Sequence, residues 1–301
     1  MVRDRSVGSR FLDIVIHTSL IMLVIITLYP VLNIASVSMS SSRAVESGLV
    51  TVYPKEFTLK AYEMIFKNNV IPRGFINSIF YTFTGTMICM IMTILLAYPL
   101  SKSDLPFRPV IVMFMVITMY FSGGLLPTFL NIRRLGLYDN YLALLLPSAL
   151  STTNTMIMVT FFRNLPNELE ESAYLDGANE FILLIRIVLP LSSASLATIS
   201  LFYAVGKWND WYSALIYLKD AYKFPLPMIL RELIMRDKIA EMLETGGMLA
   251  GNRMVDDMNR MVNYDTLKHA TLFVSMVPML ILYPFIQKYF VKGVMIGSLK
   301  G

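Results

Sequence analysis

Charge is what this chain of 301 residues has least of: 16% of it is Asp, Glu, Lys or Arg, against 55% hydrophobic, with a mean hydropathy of +0.59. Soluble domains run near 25% charged (about that value on average), so a soluble α/β enzyme is excluded first. Cys89 stands alone, which excludes an intrachain disulfide and every disulfide-stapled class. The two histidines, His17 and His269, lie far apart and bring no second His or Cys with them, so no metal centre is expected. With 15 Gly and 14 Pro, collagen-like and low-complexity chains are excluded too. No Gly-x-x-x-x-Gly-Lys-Ser/Thr run occurs, so the chain lacks that cradle for nucleotide phosphate. The formal net charge is +5. Its basic residues are scattered through loops without interleaved aromatics, which argues for lipid and protein partners and against nucleic acid.

What the chain does have is apolar blocks of membrane length. A hydrocarbon core about 30 Å thick needs roughly 20 apolar residues of helix. Six segments approach that length, at 14–37, 75–100, 110–130, 141–162, 190–218 and 267–290. No period-two alternation appears, so the expectation is an all-α integral membrane protein with six transmembrane helices. The first apolar run exceeds the h-region of a signal peptide and is read as an uncleaved span. The 22 methionines are read as flexible apolar filler between helices. The expected organisation is an N-terminal stretch 1–13, a first helix 14–37, a loop 38–74, a transmembrane core 75–290 and a tail 291–301. Six spans put both termini on one side, and Lys and Arg are similarly dense on both sides, so charge bias leaves orientation open.

The connections differ in kind. Loop 38–74 contains an amphipathic piece from Phe57 to Phe66 with apolar residues at helical spacing. Loop 219–266 is long, polar and broken at Gly246-Gly247. Connection 164–188 is short, acidic at its start and rich in small residues. Asn167 suits a helix N-cap, Glu168, Glu170 and Glu171 suit the first turn, and Gly177 suits the C-terminal stop. A helix from Asn167 to about Asp176 is expected there.

That connection reads Glu171-Ser172-Ala173, three positions, Gly177, nine positions, Ile187, one position, Leu189-Pro190. It resembles the Glu-Ala-Ala loop of ABC importer permeases, with Ser172 replacing one alanine and with Asp176 and Ala178 flanking the glycine. Arg73-Gly74-Phe75-Ile76-Asn77-Ser78, Leu135-Gly136-Leu137 and Trp208-Asn209-Asp210-Trp211 are similar to the carbohydrate-uptake branch, on the side of the maltose-type second permease. The resemblance covers roughly residues 55–301 and is nearest to permeases for complex, often uronate-containing oligosaccharides such as alginate- or pectin-derived ones.

The resemblance implies a type I ABC importer permease fold in a bacterial plasma membrane, with a cytoplasmic coupling helix that docks on an ATPase subunit dimer. Carried onto this chain, Glu171, Ser172, Ala173, Asp176, Gly177 and Ala178 form the coupling surface. Both termini are then cytoplasmic, and loops 38–74 and 219–266 lie outside. The further implied partners are a second, non-identical permease subunit, a solute-binding protein, a carbohydrate and membrane lipid. ATP and Mg belong to the ATPase subunits, and this chain has no cofactor or catalytic site of its own.

The residues add a point about energy. The cores of the membrane segments are read as free of Asp, Glu, Lys and Arg, whereas an ion-coupled secondary sugar transporter, the alternative, usually carries such groups or broken helices at mid-membrane. Ser151 and Asn154 belong to a polar block in segment four, read either as sugar-binding or as interhelical packing. Trp208, Asp210, Trp211 and Tyr212 are read either as an aromatic belt or as lining of the outer mouth. Gly246, Gly247, Asn252 and Arg253 are candidates for contact with the binding protein, the alternative being a loop packed on its own subunit.

Overall fold

The computed structural model describes residues 7–67, 69–245 and 265–284, and every regular element among them is helical. Two compact units divide the chain: Met1–Ile71 with Glu232–Val277, and Pro72–Arg231 with Pro278–Gly301.

In the first unit, α1 (Val7–Ser38) contains a stretch, Phe11–Ser38, long and apolar enough to cross a membrane. Phe11, Ile14, Leu20 and Ile25 are exposed along it, as suits a helix whose solvent is lipid. Its last turns form a polar joint, where Ser36 Oγ donates to Val52 O at 2.5 Å and Asn33 Nδ2 to Thr51 O at 2.8 Å. Ser41 caps the short α2 (Ser42–Glu46) by accepting from the Ala44 amide. Helix α3 (Lys60–Lys67) takes up most of the amphipathic piece expected at 57–66. Ala61 and Ile65, one turn apart, are its buried residues, and the Tyr62 hydroxyl bonds Ser38 Oγ at 2.8 Å.

The second unit is built along α4 (Val70–Ser101), which is continuous through the expected second segment. Three expected segments are not continuous. The third is α5 (Arg108–Tyr120) and α6 (Leu125–Arg134), meeting at 113°; Gly124, at φ +83°, supplies a backbone that side-chain-bearing residues resist. The fourth is α7 (Leu142–Leu145) and α8 (Thr152–Arg163), parted by a non-helical stretch around Pro147. The fifth is α10 (Glu180–Leu191), α11 (Ser193–Trp208) and α12 (Trp211–Tyr217), with an 83° bend between α10 and α11. Pro190 lacks the N–H that would bond the Arg186 carbonyl. The turns just before it, Leu184–Val188, widen to i→i+5 bonding.

Long apolar runs thus spell membrane residence correctly and helix continuity incorrectly, because glycine pairs and prolines inside them act on the backbone rather than on hydropathy. Among the described residues, three helices are long and apolar enough to cross a membrane, and two bent pairs make up to five. The third long helix is α14 (Asp265–Pro284), within the sixth expected segment. Loop 219–266 also departs from expectation, since α13 (Leu226–Thr245) fills its first half. Pro227 sits where a helix tolerates it, and Leu226, Ile229, Leu230 and Leu233 recur at helical spacing. The core of the second unit joins Cys89 and Tyr98 of α4, Met158 and Phe162 of α8, Leu183 of α10 and Ile199 of α11.

Candidate functional site

Between α8 and α10 the chain makes the short helix α9 (Asn167–Leu175), with Glu168 and Glu170 in its first turn. Pro166 holds the cap position and Asn167 is the first helical residue, one place earlier than the Asn167 cap expected. The C-terminal end follows from the sequence spacing. The Gly177 amide bonds Tyr174 O at 3.0 Å and the Ala178 amide bonds Ala173 O at 2.9 Å, which is the Schellman pattern. It requires a left-handed residue after the cap, and Gly177 has φ +80°. Ala173, the residue whose carbonyl accepts the longer bond, is buried against the core, and Ala178 packs there too. The motif spacing from Ala173 to Gly177 is therefore the spacing of a helix stop with its small apolar anchor. Asn179 then caps α10 by accepting from the Ile182 amide at 2.9 Å.

Glu168, Glu171, Ser172, Leu175, Asp176 and Gly177 are left exposed. Leu175 is 90% exposed, an apolar knob with no cover from its own unit. The opposite side of α9 is tied down. Glu170 pairs with Lys102 just past the end of α4. Glu180 accepts from Tyr98 at 2.5 Å with one oxygen and from Tyr174 with the other. Lys102 lies 4.8 Å from the Tyr98 ring centroid, a cation–π contact. Burial pushes the Glu180 carboxyl up, but the Tyr174 and Tyr98 hydroxyls and the Lys102 charge outweigh it and hold it below the usual carboxylate range. The bond to Glu180, with burial, pushes the Tyr174 hydroxyl above its ordinary value. Beside this network a cleft of about 450 Å³ opens between Leu95, Pro99, Leu105 and Phe181.

The far end of α4 is built differently. Asn77 Nδ2 donates to Tyr222 O at 2.8 Å and Phe224 O at 3.1 Å, Ser78 Oγ accepts from the Leu226 amide at 2.8 Å, and Tyr81 donates to Lys223 O at 3.0 Å. Gly74 makes room for that chain, since a Cβ there would lie 2.2 Å from Ile229 Cδ1 and 3.5 Å from the Leu226 backbone. Leu135-Gly136-Leu137 is a second Schellman stop, with Gly136 at φ +70° and the Leu137 amide on Ile132 O at 3.1 Å. After it, Asp139 Oδ1 accepts from the Lys219 and Asp220 amides, and Asp139 pairs with Lys223 at 3.2 Å. The Asp220 amide, helped by the Lys219 amide and Lys223 against the opposing pull of burial, holds the Asp139 carboxyl below its usual range.

The other expected site residues separate into parts. Ser151 caps α8, accepting from the Asn154 amide at 3.4 Å, and its own amide bonds the Tyr203 hydroxyl at 3.3 Å. Asn154 is half-buried. Trp208 is 5% exposed, edge-on to Phe75 at 5.9 Å. Asp210 caps α12 by accepting from the Ser213 amide at 3.0 Å. Trp211 carries the Arg231 guanidinium 4.7 Å from its ring centroid and meets the exposed Tyr212 edge-on. Gly246, Gly247, Asn252 and Arg253 lie outside the described residues. Sequence reasoning passed over Tyr98, Lys102, Tyr174 and Glu180, whose pairings are mostly distant in the chain. It also passed over Lys207. Segment five is not free of charge: the Lys207 stem packs on Gly85, near the middle of α4. The signal available was a single lysine inside an apolar block.

No protein-family model matches the chain. It is 39% identical over 298 residues to the polygalacturonan/rhamnogalacturonan transport system permease protein YtcP of Bacillus subtilis (strain 168), covering 97% of this chain and 99% of that protein. Protein LplC of the same organism is 39% identical over 276 residues, covering 92% and 90%. Among solved structures, a chain of a bacterial ABC transporter involved in the import of the acidic polysaccharide alginate matches with a TM-score of 0.84 and 31% identity, over 95% of this chain and 99% of that one.

Proposed function

This chain belongs to the permease subunits of carbohydrate-importing ABC transporters, and we propose that it lines half the path of an importer for acidic oligosaccharides and is driven through α9. It is a multi-pass inner-membrane protein and a transport component, working as such permeases do with ATPase, second permease and binding-protein partners. An ion-coupled carrier finds no support among these relatives. Two relatives, one named for polygalacturonan and rhamnogalacturonan and one for alginate, support a uronate-containing substrate of the alginate or pectin kind.

The observation that carries the coupling role is α9 itself: a short helix stopped by Gly177, tied to α4 on one side and open on the other. Glu171, Ser172, Asp176 and Gly177 form its docking end, Ala173 and Ala178 of the expected coupling surface instead anchor that end on the chain's own core, and Leu175 enters an apolar pocket on the ATPase subunit. The ATPase subunits hold ATP and Mg and supply the energy; this chain does no hydrolysis. Their closure shifts α9, and the Lys102–Glu170 and Tyr98–Glu180–Tyr174 ties pass the shift to α4 and α10. In this reading α9 and both termini are cytoplasmic, the core runs over 75–290, and loops 38–74 and 219–266 lie outside. A non-identical permease completes the path. The binding protein meets Gly246, Gly247, Asn252 and Arg253, while Ser151, Asn154, Trp208, Asp210, Trp211 and Tyr212 flank the sugar's route.

Gly177→Leu tests the assignment. A non-glycine residue held left-handed costs about 1–2 kcal/mol, and the added side chain stands on the docking face. The variant complex is expected to insert normally and to lose substrate-stimulated ATP hydrolysis. Undiminished stimulation would overturn the coupling role.

A further inference from the structure

A lysine in the middle of a membrane segment demands a reason, because placing its charge there costs about 2.5–3.5 kcal/mol even on lenient scales. Lys207 is such a residue by depth, although it stands in the last turn of α11, where the helix dipole favours a cation. Its stem packs against Gly85, where a Cβ would stand 3.0 Å from Lys207 Cδ and Cε. Gly85 lies about 22–24 Å of helix from either end of α4. The ammonium donates to Leu144 O at 2.8 Å and to Ser148 Oγ at 2.6 Å. Both acceptors are uncharged.

Lys102, Lys223 and Lys268 all find carboxylates. Lys207 finds none among the described residues, and Asp210, close by in sequence, is turned to the Ser213 amide. An ammonium has three donors, so one donor remains uncommitted, and Asp210 acts on the charge only at a distance, without a direct ion pair. A brace for the α7–α8 break needs no charge, because an uncharged amide or hydroxyl donor meets the same two acceptors.

The surroundings are those of a lined path rather than a sealed core. Ser148 is exposed, so the ammonium reaches an open face of its unit. The stretch between α7 and α8 is irregular, which membrane depth tolerates only inside protein or along a watery cavity. Helix α8 starts four residues beyond Ser148, and its positive dipole end adds to the Lys207 potential. Tyr203, one turn before Lys207, bonds Thr93 at 2.7 Å and the Ser151 amide at 3.3 Å and fixes the presenting face of α11.

We propose that Lys207, beside Ser148 and the start of α8, is a binding site for the carboxylates of a uronate oligosaccharide in transit. The proposal rests on the acidic-oligosaccharide reading above.

The test uses the assembled transporter with its binding protein in liposomes, comparing uptake of trigalacturonate with that of its methyl ester, in which every carboxylate is neutral. Lys207→Met is expected to slow trigalacturonate uptake about tenfold or more, the scale of one lost charge-assisted hydrogen bond. It is expected to leave methyl-ester uptake within about twofold, and Lys207→Arg to restore most of the acidic uptake. Equal losses for both sugars, with normal insertion, would make Lys207 a brace and overturn the proposal. Parental uptake of trigalacturonate by Lys207→Met would overturn it equally. A parent that ignores trigalacturonate but hydrolyses ATP in response to neutral oligosaccharides would instead sink the acidic-substrate reading, and the proposal with it.

Discussion

At the start of α4, uncharged groups take the hydrogen bonds, beside Arg73 over the Tyr222 ring: Asn77, Ser78 and Tyr81 bond backbone atoms of the Tyr222–Leu226 stretch, and Gly74 lets that stretch come close. At its end, charges do: Lys102 meets Glu170, and Tyr98 meets the carboxylate of Glu180. Asn77, Ser78 and Tyr81 are buried, whereas Glu180 and Tyr174 are exposed. A buried side chain bonded to backbone has one geometry, and breaking it strands a polar group at about 1–3 kcal/mol. An ion pair near the surface contributes about 0–1 kcal/mol and re-forms easily in another arrangement. The first end is a fixed joint and the second an adjustable one, which suits a rod that is held at one end and driven at the other.

The contrast breaks most severely with Gly74→Val. Its Cβ alone would overlap Ile229 Cδ1, and overpacking of this kind costs about 1–3 kcal/mol or more. The thermal midpoint of the purified complex should fall, with transport and basal ATP hydrolysis falling together. Selective loss of stimulated hydrolysis would mean that the first end is not merely a fixed joint.

Tyr81→Phe is a milder probe of the same end. It removes one buried hydrogen bond to Lys223 O, worth about 0.5–1.5 kcal/mol. A small drop in the midpoint with unchanged coupling is expected.

Glu180→Gln should change stability least and coupling more. Because Glu180 is held below the usual carboxylate range, its contribution is present above the unfolded value of about 4.3 and is lost as pH falls through the lower folded value. The midpoint gap between parent and Glu180→Gln should therefore shrink as pH is taken from neutral to well below about 4. At neutral pH the variant should hydrolyse ATP with less sugar moved per turnover. A gap that widens in acid would refute the assigned role of the carboxylate.

How far these features were legible in the sequence follows from how local they are. The stops at Gly136 and Gly177 are set by bonds spanning five residues, so the spacing itself carries them, together with helix α9 and the family. The breaks in segments three, four and five were marked by Gly123-Gly124, Pro147 and Asn209-Asp210, but hydropathy summed over a window passes across such marks. Helix α13 was missed because alternating charge masked the recurrence from Leu226 to Leu233. The ties of Glu180 to Tyr98 and of Lys207 to Leu144 join residues far apart in the chain, and periodicity holds no trace of them. Lys207 was the most consequential omission, since the energy argument from sequence relied on charge-free segments.

The bend at Ser192 has a mechanical meaning. Helices α10 and α11 meet at 83° with lengths of about 18 and 24 Å, the proportions of a bell crank with unequal arms. A sideways displacement at the tip of α10, where Glu180 sits, emerges near Trp208 turned through almost a right angle and enlarged by about one third, if the two arms rotate as one body. A stroke at the start of α10 is in this way turned and scaled, and the leverage is set by the lengths of two helices.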